Sequence, residues 1–211
     1  MKLTKLKELI LFVLSETGPV SRLKLAKLVY LIEWKFYQRY GTQLSKAYYM
    51  RERRGPVPAT FGEEIEEMMG FEVERTSRGF IGPGRRPRFS PSFTEDMATF
   101  VRSVLRRYRE KSDRDLLLAT YLTEPMKTVL KEERAGAVRK HEGIIFGRFR
   151  TEAQIRSEVA GEETGDEEVT YVSAGNMTDE DTIQVLSALH QSLPLIVASE
   201  RICRGEPEKH T

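Results

Sequence analysis

The spacing of apolar positions divides the chain into a run of amphipathic helices and a looser tail. Leu6, Leu9, Ile10, Val13 and Leu14 recur at the helical period behind Thr4, which can cap a first helix, and Gly18-Pro19 stops it. Ser21 caps a second helix that runs from Arg22 to about Tyr40, where Gly41 breaks it. In this helix Leu25, Leu28, Val29, Ile32 and Phe36 form one stripe, and Leu23, Tyr30, Trp34 and Tyr37 form another on nearly the opposite side. A helix apolar on two sides is normally buried between layers, so this one is the predicted central strut. Lys24, Lys27, Glu33 and Lys35 are left as its exposed positions.

Arg51, Arg53 and Arg54 stand directly before Gly55-Pro56-Val57-Pro58, where proline fixes the backbone path, and together they predict a stiff basic turn. Thr60-Phe-Gly-Glu63 has capping-box spacing and predicts a short helix from Phe61 to Met69, with Glu63, Glu64, Glu66 and Glu67 on its exposed side. Residues 71–75 and 80–81 read as a small hairpin, followed by a Gly/Pro-rich loop carrying Arg85, Arg86 and Arg88. That loop lacks the preceding strand and the Lys-Ser/Thr of a phosphate-binding loop. Thr94 caps a long helix with Met97, Phe100, Val101, Val104, Leu105 and Tyr108 on one face and arginines crowding the rest. Ser112 or Asp113 opens the next helix, and Glu124-Pro125 opens a short one with proline in its first turn. Further on, residues 143–149 are apolar enough to pack or form a strand, residues 152–159 suit a helix, and a strand, helix and strand follow over 169–198. The predicted fold is mainly α. A compact multi-helix domain with a small β-hairpin or sheet occupies 1–137, and a small α/β C-terminal appendage over 138–211 docks on the body or on a second copy.

Charge changes this picture more than overall composition does. The 211 residues are 39% hydrophobic and 31% charged, as in soluble globular proteins, with no apolar run long enough to span a bilayer and no signal-peptide pattern, which points to the cytoplasm. The net charge of +2 hides a division: residues 151–211 hold 4 Lys/Arg against 13 Asp/Glu, which leaves 30 against 19 for residues 1–150. A basic body with an acidic quarter can attract an acidic protein or nucleic acid. Catalytic chemistry finds little support. The single cysteine, Cys203, excludes an internal disulfide and a Cys-rich zinc site, and His141, His190 and His210 show no metal-ligand spacing. The four glutamates of the short helix lie on its surface with no second group to split their acidities. No catalytic residue, metal ligand or cofactor site is assigned.

The order of parts resembles the Panacea domain of the SocA-like antitoxins over about residues 3–135. The resemblance is carried by Lys24-Leu-Ala-Lys27-Leu-Val-Tyr30, by Arg54-Gly-Pro-Val-Pro58 and by Asp115-Leu-Leu-Leu-Ala-Thr-Tyr-Leu-Thr-Glu-Pro-Met126. Within the last segment Tyr121 stands where that family has a histidine and Met126 where it has a tryptophan. The resemblance implies a mainly helical fold, no catalytic residues and the neutralisation of a cognate protein toxin, usually encoded alongside. If a toxin is bound, the expected contact surface is the basic turn with the acidic helix after it: Arg51, Arg53, Arg54, Gly55, Pro56, Val57, Pro58, Glu63 and Glu64. Local ion pairing between turn and helix is the competing expectation. The alternative function is a winged-helix-like regulator that touches operator DNA through Arg85, Arg86 and Arg88, although the second helix suits burial better than a groove. A homodimer is compatible with either.

Overall fold

The computed structural model describes residues 4–77, 81–84, 92–136 and 143–162, with side chains described as far as residue 157. Arg85, Arg86 and Arg88, and the strand, helix and strand expected over 169–198, lie outside these residues. The architecture is mainly α: α1 (Lys5–Thr17), α2 (Arg22–Tyr40), α3 (Phe61–Met68), α4 (Glu95–Tyr108), α5 (Asp113–Tyr121), α6 (Glu124–Arg134) and α7 (Glu152–Glu162) are joined by short strands.

Local chemistry sets most of the helix boundaries. The hydroxyls of Thr4, Ser21, Thr94 and Ser112 each accept from a backbone N–H in the first turn of α1, α2, α4 and α5. Gly41 ends α2 in the left-handed conformation and donates to the Tyr37 carbonyl. The predicted capping box at Thr60 is not made: its side chain forms no capping hydrogen bond, and α3 stops at Met68. Glu64, the residue after the box glutamate, meets Lys7 of α1 and its cap Thr4.

The predicted basic turn is a β-hairpin. Strands β1 (Tyr49–Glu52) and β2 (Gly55–Pro58) pair antiparallel, Tyr49 opposite Pro58 and Glu52 opposite Gly55. A short strand β5 (Gly143–Ile144) adds to the other edge of β1, giving the order β2-β1-β5. Strands β3 (Val73–Arg75) and β4 (Ile81–Pro83) form the second antiparallel pair, which Ile81 ties to the α1–α2 link through two hydrogen bonds with Val20.

Helix α2 is the central strut. It packs against α1, α4, α5 and β2, and Leu25, Val29, Tyr30 and Ile32 are wholly buried. Burial also takes in Lys27 and Glu33, against the expectation that both face solvent. Each is accommodated because its polar end meets backbone: Lys27 Nζ donates to the Pro56 carbonyl, and Glu33 accepts the N–H groups of Leu44 and Ser45.

Candidate functional site

The three segments that carry the sequence motifs converge on one face of α2. Lys27 and Tyr30 project from α2, Gly55 and Pro56 come from β2, and Thr120, Tyr121 and Thr123 come from the end of α5 and the link to α6. Gly55 sits at φ +82, and a Cβ there would meet Leu117 Cδ1 at 3.3 Å and both Lys27 Nζ and Thr120 Oγ1 at 3.4 Å. The left-handed backbone favours glycine here, and an added Cβ would press Leu117 by a few tenths of an ångström while just touching Lys27 and Thr120.

The polar groups of the cluster bind one another. Lys27 Nζ donates to Pro56 O over 2.8 Å. Thr123 Oγ1 donates to Thr120 O (2.6 Å), which spends its one proton, so the Tyr30 hydroxyl is the donor in its 2.7 Å bond to Thr123 Oγ1. Thr120 Oγ1 donates to Leu117 O (2.7 Å), and the Tyr121 hydroxyl reaches Arg53 O at 3.5 Å. Burial pushes the Lys27 amine down to about 7, with Arg54 acting in the same direction and Glu52 opposing. Burial likewise raises the Tyr30 phenol. The chemistry of this cluster is to hold a hairpin in one pose against a helix.

The predicted contact residues are divided by the fold. Arg53 and Glu63 are exposed; Arg51, Arg54, Val57 and Glu64 are half-buried; Gly55, Pro56 and Pro58 are buried. Arg51 has 12% of its side chain exposed, and its Nε lies 3.4 Å from Oε1 of Glu133 on α6, itself 8% exposed. The acidic helix turns to other cations. Lys7, buried on α1, pairs with Glu67 at 2.5 Å and Glu64 at 3.3 Å, and the Glu67 hydrogen bond is the main cause that raises its pKa. Glu66 lies 3.9 Å from Arg22 and 3.8 Å from Arg75.

Sequence reasoning missed Lys7, Lys27, Glu33, Thr120, Thr123 and Glu133 as interior polar groups. For Lys27 the signal was present: positions 23, 27, 30, 34 and 37 make one helical stripe, so Lys27 belongs with Tyr30 and Trp34 on the second buried face. Both apolar faces of α2 are covered, as the expectation of burial requires. Among the described residues no group of three His, Cys, Asp or Glu side chains stands close enough to hold a metal ion. No helix among them is long and apolar enough to cross a membrane.

Comparison with known families matches residues 25–125 to the model described as Antitoxin SocA-like, Panacea domain. The match begins on α2 and ends at Pro125 in the first turn of α6, so it spans all three converging segments. Neither the curated proteins nor the solved structures contain a match to the chain.

Proposed function

We propose, from the match of residues 25–125 to the SocA-like antitoxin Panacea domain, that this protein binds and neutralises a cognate protein toxin. The family supports an antitoxin-like, non-catalytic role; direct neutralisation by complex formation, in the cytoplasm and with a toxin encoded by a neighbouring gene, is our reading. The observation that carries it is that match, which covers the three segments the fold brings together. The pinned hairpin supports it physically, because a corner held rigid before binding loses little conformational entropy when a partner docks.

Arg53 and Glu63, the exposed ones among the expected contact residues, are the proposed contacts, and the half-buried Arg54 and Glu64 are secondary. Arg51 is assigned to holding the hairpin on α6 through Glu133. The test is expression of the adjacent open reading frame alone and together with this protein. Growth arrest relieved by co-expression, with a complex recovered on purification, is the expected result. A harmless neighbour, or toxicity unchanged by co-expression with no complex, would sink the reading. Arg53→Glu should weaken that complex at least tenfold while leaving the thermal melt of the free protein in place, whereas unchanged affinity would remove the corner from the interface.

A further inference from the structure

A second surface lies where the last turn of α2 meets α4 and α7. Two clefts, of about 930 and 650 Å³, open here and share Arg39, Tyr40 and Phe100. They are therefore the two sides of one groove with an aromatic shelf between them. Tyr40 forms the shelf: 47% exposed, it packs against Phe36 at 4.5 Å between ring centres and edge-on to Phe100 at 5.6 Å. The Arg39 guanidinium lies 5.5 Å from the Tyr40 ring centre and 5.9 Å from that of Phe100. A half-exposed tyrosine buttressed by two phenylalanines, with a stacked arginine, is the composition that concentrates binding energy at protein interfaces.

The charges around the shelf are unequal. Among the described residues, Lys35 and Arg39 from α2 and Arg156 from α7 line the larger cleft with one carboxylate, Glu152, and Asp96 lines the smaller one. Burial lowers the Lys35 amine; Glu152 opposes this, and Arg107 of α4 adds a smaller effect of a further positive charge. Arg156 is 3.9 Å from Glu152, so that carboxylate already faces a cation.

We propose that this groove docks an acidic amphipathic protein segment, with an apolar or aromatic side chain set on the Tyr40 shelf and carboxylates facing Lys35, Arg39 and Arg156. The proposal deepens the partner-binding reading by adding a surface apart from the hairpin corner. Charge complementarity selects an acidic occupant, and the shelf selects one with a hydrophobic face; lying an apolar helix face in a groove is a recurrent recognition mode. A nucleic acid strand would also meet cations and an aromatic ring. It would have to run its phosphates past Glu152 and Asp96, however, whereas a peptide can place neutral residues there.

The test uses the full chain and two fluorescein-labelled synthetic helical peptides that share the same Leu and Phe positions, one with a Glu-rich polar face and one with a Lys-rich polar face. By fluorescence anisotropy the Glu peptide should bind at least tenfold more tightly than its Lys twin. Arg39→Glu and Tyr40→Ala should each reduce that affinity at least tenfold, with unchanged circular dichroism. Equal binding of the twins, no binding of either, unchanged affinity in both variants, or preference for a labelled single-stranded oligonucleotide would overturn the proposal. Pull-down of the neighbouring gene product separates this inference from the wider one. Capture by wild type and both variants alike would remove the groove and leave the antitoxin reading, whereas peptide binding as expected without capture would leave the groove and remove the toxin.

Discussion

At the scale of single residues, Lys27 is a buried amine that donates to the Pro56 carbonyl, and its protonation is coupled to stability. Its ordinary value is 10.5 and burial takes it to about 7 in the fold. Between those values the unfolded chain holds a proton that the folded chain has released, so stability rises with pH across that window, by at most about 1.4 kcal/mol per pH unit. Below about 7 both states are protonated and the full burial penalty is present. Lys27→Met should therefore lose the rising slope. Urea unfolding of both proteins at pH 7, 8 and 9 should show the wild type gaining on the variant, while a constant difference would mean an unshifted amine. At pH 7 the two should lie within about 1–2 kcal/mol, because removing a buried charge offsets the orphaning of Pro56 O. Glu33 is the opposite charge in a different setting. It accepts from Leu44 N at 2.7 Å, from Ser45 N at 2.8 Å and from the Ser45 hydroxyl, anchoring the approach to β1, while burial pushes its carboxyl upward. Glu33→Gln would turn an amide toward donors, and a loss of about 1–3 kcal/mol is expected by chemical denaturation. Lys27 was legible in the sequence as a member of a buried stripe. Glu33 was not, since its three donors come from a linker whose path no periodicity encodes.

At the scale of elements, α1, α2, α4 and α5 were readable because each carries its own punctuation, an apolar stripe opened by a hydroxyl cap. The hairpin at 49–58 was harder: two prolines at 56 and 58 demote a strand in sequence terms, yet β2 pairs along its whole length with β1. What the sequence showed correctly was a stiff chain at this point. What it could not show was the partner of that stiffness, the close pass over α2 and α5 that Gly55 permits. The strain and the contacts can be separated experimentally. Gly55 and Gly70 have nearly the same backbone, φ +82 and +84, but a Cβ at Gly70 meets nothing within 4 Å. Both Gly→Ala changes should cost about 1–3 kcal/mol for the left-handed backbone, and Gly55→Ala should cost measurably more because its methyl group crowds Leu117 in the packed cluster. Equal thermal shifts would show that the close approach carries no energetic weight.

At the scale of the whole molecule, the segment 143–149 shows how far the core extends along the chain. Phe146 is 2% exposed, stacks on Tyr49 at 5.4 Å, and meets Trp34 and Tyr30 edge-on at 5.5 and 5.8 Å. Tyr37 donates its hydroxyl to the Phe149 carbonyl at 2.8 Å, and β5 closes the sheet beside β1. The aromatic side of α2, with its Tyr30, Trp34 and Tyr37, is thus covered by residues more than a hundred positions later, a pairing that local pattern cannot reveal. The match ends at residue 125, so this cover is supplied from beyond the matched region, which completes its core with sequence outside it. The consequence is testable. If residues 143–149 are part of the cooperative unit, Phe146→Ala should cost about 3–5 kcal/mol in global unfolding. Amide exchange at Tyr30 and Trp34, in the middle of α2, should accelerate with it. If the segment is a detachable cover, the same change should cost under about 1 kcal/mol globally, leave exchange in α2 unchanged, and speed exchange only across the β1–β5 pairing.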